Sequence, residues 1–233
     1  MANLAITWLG HSTFLLTTPG GKRLLFDPWL AGNPSCPERF KKPPQADVIL
    51  ASHGHRDHAE DLVQCARVSA APVVAIYELC LWLEQKGVQN IAPMNKGGSQ
   101  EIAGVRITMT DARHSSSVVD GGHTVYMGEP CGFVVRLEDG RTIYYAGDTD
   151  LFGDMRLIGE MYRPEIAFLP IGDRFTMGPE AAARACALLG VKQVIPMHWG
   201  TFPILTGTPD ALRACLARTG IEILELKPGE TAE

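Results

Sequence analysis

Short apolar runs, each closed by glycine, proline or an acidic residue, set the rhythm of this chain, and stretches of helical period fall between them from about residue 57 onward. Residues 4–9, 13–18 and 23–26 read as strands, the last two joined by the turn Pro19-Gly20-Gly21-Lys22. Residues 31–45, rich in proline and charge, read as an irregular loop. The unbroken apolar run over 46–52 is the pattern of a strand buried on both faces. Apolar positions at helical spacing then run from Asp57 to about Cys65. A strand over 72–76 and a helix over 77–86, stopped by Gly87, follow. Residues 100–103 and 105–110 read as strands around Gly104, whereas 115–130 shows no clear period. A second hairpin, 131–137 and 142–146, turns at Glu138-Asp139-Gly140-Arg141. The remainder alternates helices over 151–161, 179–189 and 209–218 with strands over 165–171, 191–196 and 221–226; Pro179 and Gly190 bracket the second of these helices in the expected order.

The two hairpins echo one another. STFLLTTPGGKRLLFDPW aligns with GFVVRLEDGRTIYYAGDT, and the second strand of each ends in an aspartate, Asp27 and Asp148. The expectation is a single α/β domain over residues 1–233 made of two pseudo-repeated halves, roughly 1–115 and 116–233. Two such halves give two mixed sheets packed face to face with helices outside.

Composition narrows the class. A hydrophobic content of 45% and a charged content of 20% belong to a globular chain. The net charge of −5 argues against a broad nucleic-acid or anionic-membrane surface. No apolar run approaches the length of about 18 residues that a membrane-spanning helix needs. Cys36, Cys65, Cys80, Cys131, Cys186 and Cys215 form no C-x-x-C pair, and the strand pattern begins close to the first residue. Reduced thiols in a cytoplasmic protein are therefore expected.

Candidate chemistry gathers where apolar strands stop. The strand over 46–52 hands over to Ser52-His53-Gly54-His55-Arg56-Asp57-His58, placing three imidazoles and a carboxylate at His-x-His-x-Asp-His spacing. That density in a tight loop suits a borderline cation. His114, Asp148 and His198 each follow directly on another apolar run, and strand ends are how an α/β sheet delivers side chains to one rim. His123, which follows Gly121-Gly122, competes with His114; direct continuation from a strand favours His114. The donors suffice for two divalent cations, zinc first, with manganese, iron and nickel as alternatives. His53, His55 and His114 would hold one, Asp57, His58 and His198 the other, and Asp148 would lie between them. Two close cations lower the pKa of a shared water toward neutrality. The expected reaction is then hydroxide attack on a phosphoryl or carbonyl centre. Asp57 would also orient that water. His11, in the strand break Gly10-His11-Ser12, and Asp173, at the end of the 165–171 strand, are candidates for protonating the leaving group.

The ligand order, together with WLGHSTFLL, LFDPW, GEPCGF, YYAGDT, LPIGD with FTMGPE, and MHWGTFP, resembles the metallo-β-lactamase fold superfamily. The resemblance is to the branch of metal-dependent hydrolases related to ascorbate-phosphate lactonase and N-acyl-phosphatidylethanolamine phospholipase D. It implies a four-layer αββα sandwich with a dinuclear site between the sheet ends, carries the ligand roles above, and gives Asp27 a supporting place behind the ligands. The implied activity is hydrolysis of a small phosphoester or of a lactone or ester. Two other readings stay open on the same fold. One is a ribonuclease-type phosphodiesterase, which the acidic charge and the lack of an inserted basic arm weaken. The other is a non-catalytic metal-bound sensor or binding module, which the full ligand set weakens. A small-molecule substrate is the expected partner, nucleic acid is disfavoured, and a homo-oligomer stays open.

Overall fold

Strands β1 (Ala5–Trp8), β2 (Phe14–Thr17) and β3 (Arg23–Phe26) form an antiparallel meander. Their order follows from the two tight connections that the glycines at 10 and 20–21 allow. The long loop after β3, with a single 3₁₀ turn at Glu38–Phe40, crosses to β4 (Val48–Leu50), which pairs parallel to β3. Helices α1 (Arg56–Ala59) and α2 (Leu62–Ser69) lead to β5 (Val73–Ile76), and α3 (Tyr77–Gln85) leads to β6 (Ile91–Met94). The second sheet starts with β7 (Ser99–Ile102) and β8 (Val105–Asp111). After a separate hairpin of β9 (Ser117–Asp120) and β10 (His123–Tyr126) it continues with β11 (Cys131–Arg136) and β12 (Thr142–Tyr145). Helix α4 (Met155–Tyr162), β13 (Ile166–Pro170), α5 (Pro179–Leu189), β14 (Gln193–Met197), α6 (Pro209–Leu216), β15 (Glu222–Ile223) and β16 (Thr231–Ala232) complete the chain. This computed structural model describes residues 3–233.

The two sheets each have seven strands, ordered β16-β1-β2-β3-β4-β5-β6 and β15-β14-β13-β12-β11-β8-β7. Both run from antiparallel hairpin pairings into three successive parallel pairings. They meet face to face through large fully buried rings. Phe14 of β2 packs edge-on against Phe168 of β13 at 4.9 Å, and Phe26 of β3 lies 4.8 Å from Tyr145 of β12. With α3 packed on β5 and β6, and α5 on β13, the order of layers is helix, sheet, sheet, helix. No helix among the described residues is long and apolar enough to cross a membrane.

Several expectations are corrected by local chemistry. The boundary between sheets falls between Met94 and Ser99, earlier than the expected division near 115, because β8 pairs with β11 over six residue pairs. The helix expected over 57–65 is broken after Ala59. There Asp61 turns its carboxylate to accept the Leu30 and Ala31 N–H groups at 2.6 and 3.0 Å. The helix expected from 151 begins at Met155, since Asp150 Oδ1 accepts the Leu151 N–H in a local turn. The segment 115–130 is not irregular. Asp120 and His123 pair across a two-residue turn whose glycines, Gly121 and Gly122, have φ of 56° and 81°, the geometry of a type I′ hairpin. Besides β9 and β10, two further strands went unread: β6 carries Pro93, tolerated because β6 is an edge strand, and β16 is two residues long.

Phe14 has no solvent exposure and sits between the two sheets. Phe14→Ala is expected to cost about 3–5 kcal/mol of stability in urea unfolding. Phe175→Ala, at a ring 55% exposed, is expected to stay within about 0.5 kcal/mol of the parent.

Candidate metal centre

Four strands that run the same way end at one rim of the sandwich. β4 delivers His53, His55, Asp57 and His58 through the tight loop and first turn of α1; β8 delivers His114, β12 delivers Asp148, and β14 delivers His198. The loop 52–55 is held from behind by Asp27, which follows β3 in a left-handed conformation with φ of 43°. Its Oδ1 accepts the Ser52 N–H at 2.7 Å. Its Oδ2 accepts from the Ser52 hydroxyl at 2.6 Å, His58 Nδ1 at 2.8 Å and the Tyr145 hydroxyl at 2.7 Å. A donated Nδ1–H fixes the His58 tautomer and leaves its Nε2 lone pair for the rim. The last strand end is equally constrained. His198 has φ of 55°, its N–H is donated to the His11 carbonyl at 3.0 Å, and a Cβ on Gly172 would come within 2.0 Å of the His198 carbonyl. Only glycine permits that approach.

The ligand atoms fall into two close groups. His53, His55 and His114 form one, with His53 Nε2 at 3.0 Å from His55 Nδ1. His11, Asp57, His58 and His198 form the other. Asp148 lies between: its Oδ2 is 3.0 Å from His198 Nε2, 3.3 Å from His58 Nε2 and 3.7 Å from His114 Nε2. Asp27 also lies within ligand distance of His53 and His58, but its oxygens already accept four hydrogen bonds.

Charge in this cluster is unbalanced in an informative way. Burial lowers the pKa values of His53, His55 and His114, favouring the neutral form a ligand needs. Burial also opposes charge on His58 and His198, yet Asp148 beside both outweighs it. His58 is raised well above its usual range and His198 to about 9. Burial would raise Asp148, but His198 and His58 hold it well below the carboxylate range; Asp57 is held low against burial by its hydrogen bond to His11 and by His198 nearby. The two carboxylates thus favour the protonated form of His58 and His198 alone. Within the same volume, His58 Nε2 and Asp148 Oδ1 are buried without a hydrogen-bond partner. Leaving such atoms unsatisfied costs about 1–3 kcal/mol each. A divalent cation would satisfy both and replace the protons, so the donor set fits one.

Each predicted ligand, His53, His55, Asp57, His58, His114, Asp148 and His198, is therefore brought to the rim. His123 is not: it is exposed on β10. His11 is fully buried within the second group. Its Nε2 is 3.1 Å from Asp57 Oδ2, its Nδ1 2.9 Å from Thr201 Oγ1, and its ring 3.9 Å from that of His198. Burial drops its pKa to about 4, and Asp57 and Thr201 occupy its two ring nitrogens. Asp173 is not brought to the cluster. β13 ends at Pro170, and Asp173, in a left-handed turn with φ of 63°, points to solvent. Its carboxylate accepts from Thr206 Oγ1 at 3.4 Å and makes no hydrogen bond or ion pair with the cluster among the described residues. Sequence reading missed Ser52, Tyr145 and Thr201; a hydroxyl beside a histidine motif carries no spacing signal of its own.

Residues 22–199 match the family described as "Beta-lactamase superfamily domain". A UPF0173 metal-dependent hydrolase of Koribacter versatilis is 49% identical over 231 residues, which are 99% of this chain and 98% of that protein. Another, of Rubrobacter xylanophilus, is 51% identical over 228 residues, 97% of this chain and 94% of that one. The solved structure of Igni18, a metallo hydrolase from the archaeon Ignicoccus hospitalis, superposes with a TM-score of 0.87 at 32% identity, covering 98% of this chain and 97% of the other.

Replacing Asp27 by Asn puts an amide donor where His58 Nδ1 and the Tyr145 hydroxyl already donate. Asp27→Asn is expected to lower metal affinity by about 10–100-fold. Metal content after dialysis against graded chelator concentrations measures it, and an unchanged affinity would remove Asp27 from the support of His58.

Proposed function

The chain belongs to the β-lactamase superfamily and, within it, to the UPF0173 metal-dependent hydrolases, and on that premise we propose that it hydrolyses a small ester, lactone or phosphoester at a centre for two divalent cations. The observation that carries this reading is one buried carboxylate, Asp148, shared between two separate groups of ligand atoms. His53, His55 and His114 would hold one cation, and Asp57, His58 and His198 the other, with Asp148 common to both. Nitrogen and carboxylate donors without a thiolate suit zinc, and equally admit manganese, iron or nickel. When bound, such cations polarise a substrate oxygen and make hydroxide available near neutral pH.

The remaining steps belong to the chain. Asp27 holds the His58 ring so that Nε2 faces the centre. Neutral His11, wedged between Thr201 and Asp57, keeps the Asp57 carboxylate turned toward His198, whose Nε2 is 3.7 Å from it. His11 is a positioning residue in this reading. The Asp57 carboxylate, about a third exposed, is the cluster's anionic acceptor that solvent and substrate can reach, and it would take the proton of an incoming water. The buried rings behind it exclude solvent from the other side of the rim.

Hydrolysis of bis-(p-nitrophenyl) phosphate and of a panel of lactones and p-nitrophenyl esters tests the proposal. Chelation should abolish turnover and added divalent cation should restore it. His58→Ala and Asp148→Ala should each lower kcat/KM by about 10²- to 10³-fold or more. Metal-free protein as purified from metal-replete medium, or turnover untouched by both substitutions, would end this reading.

A further inference from the structure

A cavity of about 370 Å³ reaches the edge of the metal centre at His55. Ala59, Trp82 and Val118 supply its apolar walls, and Arg56 and Glu60 border it on the polar side. One wall is the β9–β10 hairpin, which is tied down at both ends. At its tip, Asp120 accepts from Trp82 Nε1 at 2.9 Å and from Lys86 Nζ at 2.7 Å, both on the α3 side. At its base, Ser116 Oγ accepts the Gly54 N–H at 3.1 Å; a Cβ on Gly54 would sit 2.9 Å from Met127 and 3.2 Å from the Ser117 carbonyl. The hairpin therefore rests directly on the loop that carries His53 and His55.

The polar side of the cavity carries an ion pair. Arg56 is engaged by Glu60 through Nε at 2.8 Å and Nη2 at 2.7 Å, and the other Glu60 oxygen accepts from Trp29 Nε1 at 2.8 Å. No unpaired cation borders the cavity among the described residues. A phosphoester brings anionic oxygens that call for free guanidinium or ammonium donors. An uncharged apolar substituent meets walls of its own kind.

We propose that this cavity holds the apolar acyl substituent of a carboxylic ester or lactone whose carbonyl is hydrolysed at the adjoining centre; the proposal rests on the hydrolase reading above. In that reaction the oxygen of water bonds to the acyl carbon and the acyl C–O bond breaks. Its electron pair stays on the alkoxy oxygen, which takes up a proton. The products are a carboxylic acid and an alcohol, or one hydroxy acid from a lactone. Asp120 is a positioning residue, setting the hairpin wall against Trp82.

The metal-loaded protein is assayed with p-nitrophenyl acetate, butyrate and hexanoate and with bis-(p-nitrophenyl) phosphate. Butanoate and hexanoate binding is measured by calorimetry. Each added methylene should raise kcat/KM by about three- to fivefold. Val118→Trp, which fills the cavity, should flatten that dependence. Asp120→Asn keeps an acceptor for Trp82 but loses the ion pair with Lys86; it should raise KM for hexanoate several-fold more than for acetate while leaving the ratio of their kcat values as it was. A chain-length dependence identical in Val118→Trp and the parent overturns the proposal, as does phosphodiester turnover without ester turnover. Ester turnover with no dependence on chain length sinks the subsite and leaves the hydrolase reading standing. Chain-length-dependent carboxylate binding without turnover of any ester or phosphodiester sinks the hydrolase reading, and ester hydrolysis with it.

Discussion

A buried carboxylate at the seam of the two sheets holds the rest of this arrangement in place. Asp27 follows β3 of the first sheet, receives the Tyr145 hydroxyl from β12 in the second, and accepts two hydrogen bonds from Ser52 and one from His58. A carboxylate with no solvent exposure is costly unless hydrogen-bond donors replace the water it loses. Here four donors meet that demand, and each comes from a segment that must be correctly placed for the rim to form. Tyr145 also lies 2.7 Å from the Ser12 carbonyl, so the same hydroxyl ties in the loop that carries His11. Support for the site and cohesion between sheets are one network.

From that anchor the chemistry of the rim follows by charge. Asp148 and Asp57 are acidic groups held low among imidazoles, and burial pushes His53, His55, His114 and His11 toward neutrality. The shifts differ within a few ångströms: His58 and His198, at 3.3 and 3.0 Å from Asp148, are raised, whereas His53, His55 and His114 are lowered. Such a distribution is what a set of cation ligands looks like when protons stand in for positive charge. It also explains the division of labour among residues that sequence treats alike. His11 is as much a histidine as His198, but Asp57 and Thr201 occupy both its nitrogens.

What the sequence disclosed and what it hid divide along physical lines. His53 to His58 were legible because their spacing is local, and His114, Asp148 and His198 because each follows an apolar run directly. The mixed sheets were legible because parallel buried strands such as β4, β5 and β13 are apolar throughout. Features set by tertiary contact were not. Asp61 breaks a helical pattern to serve the Leu30 and Ala31 amides, and nothing within 57–65 announces it. Asp173 follows a strand as Asp148 does, yet a left-handed turn sends it outward. The β9–β10 hairpin was hidden by its exposure: strands bearing residues such as Val119 and Tyr126 on an open face lack the alternation that burial imposes, although Asp120-Gly121-Gly122 was a turn signal in plain sight.

The same division separates the reaction from its selectivity. Groups that bind and polarise sit on the ends of buried strands, where close packing fixes them to within the tolerance that ligation demands. Groups that border the adjoining cavity sit on α1, α3 and a two-stranded hairpin with no third strand, fastened by a few polar bonds at Asp120 and Ser116. A two-stranded hairpin is marginal by itself, so its place depends on those bonds and on Met127 resting over Gly54. Substitutions in the hairpin can therefore reshape the cavity without touching a ligand. Substitutions behind the ligands, at Asp27, Ser52 or Tyr145, cannot alter one sheet's contribution without disturbing the other.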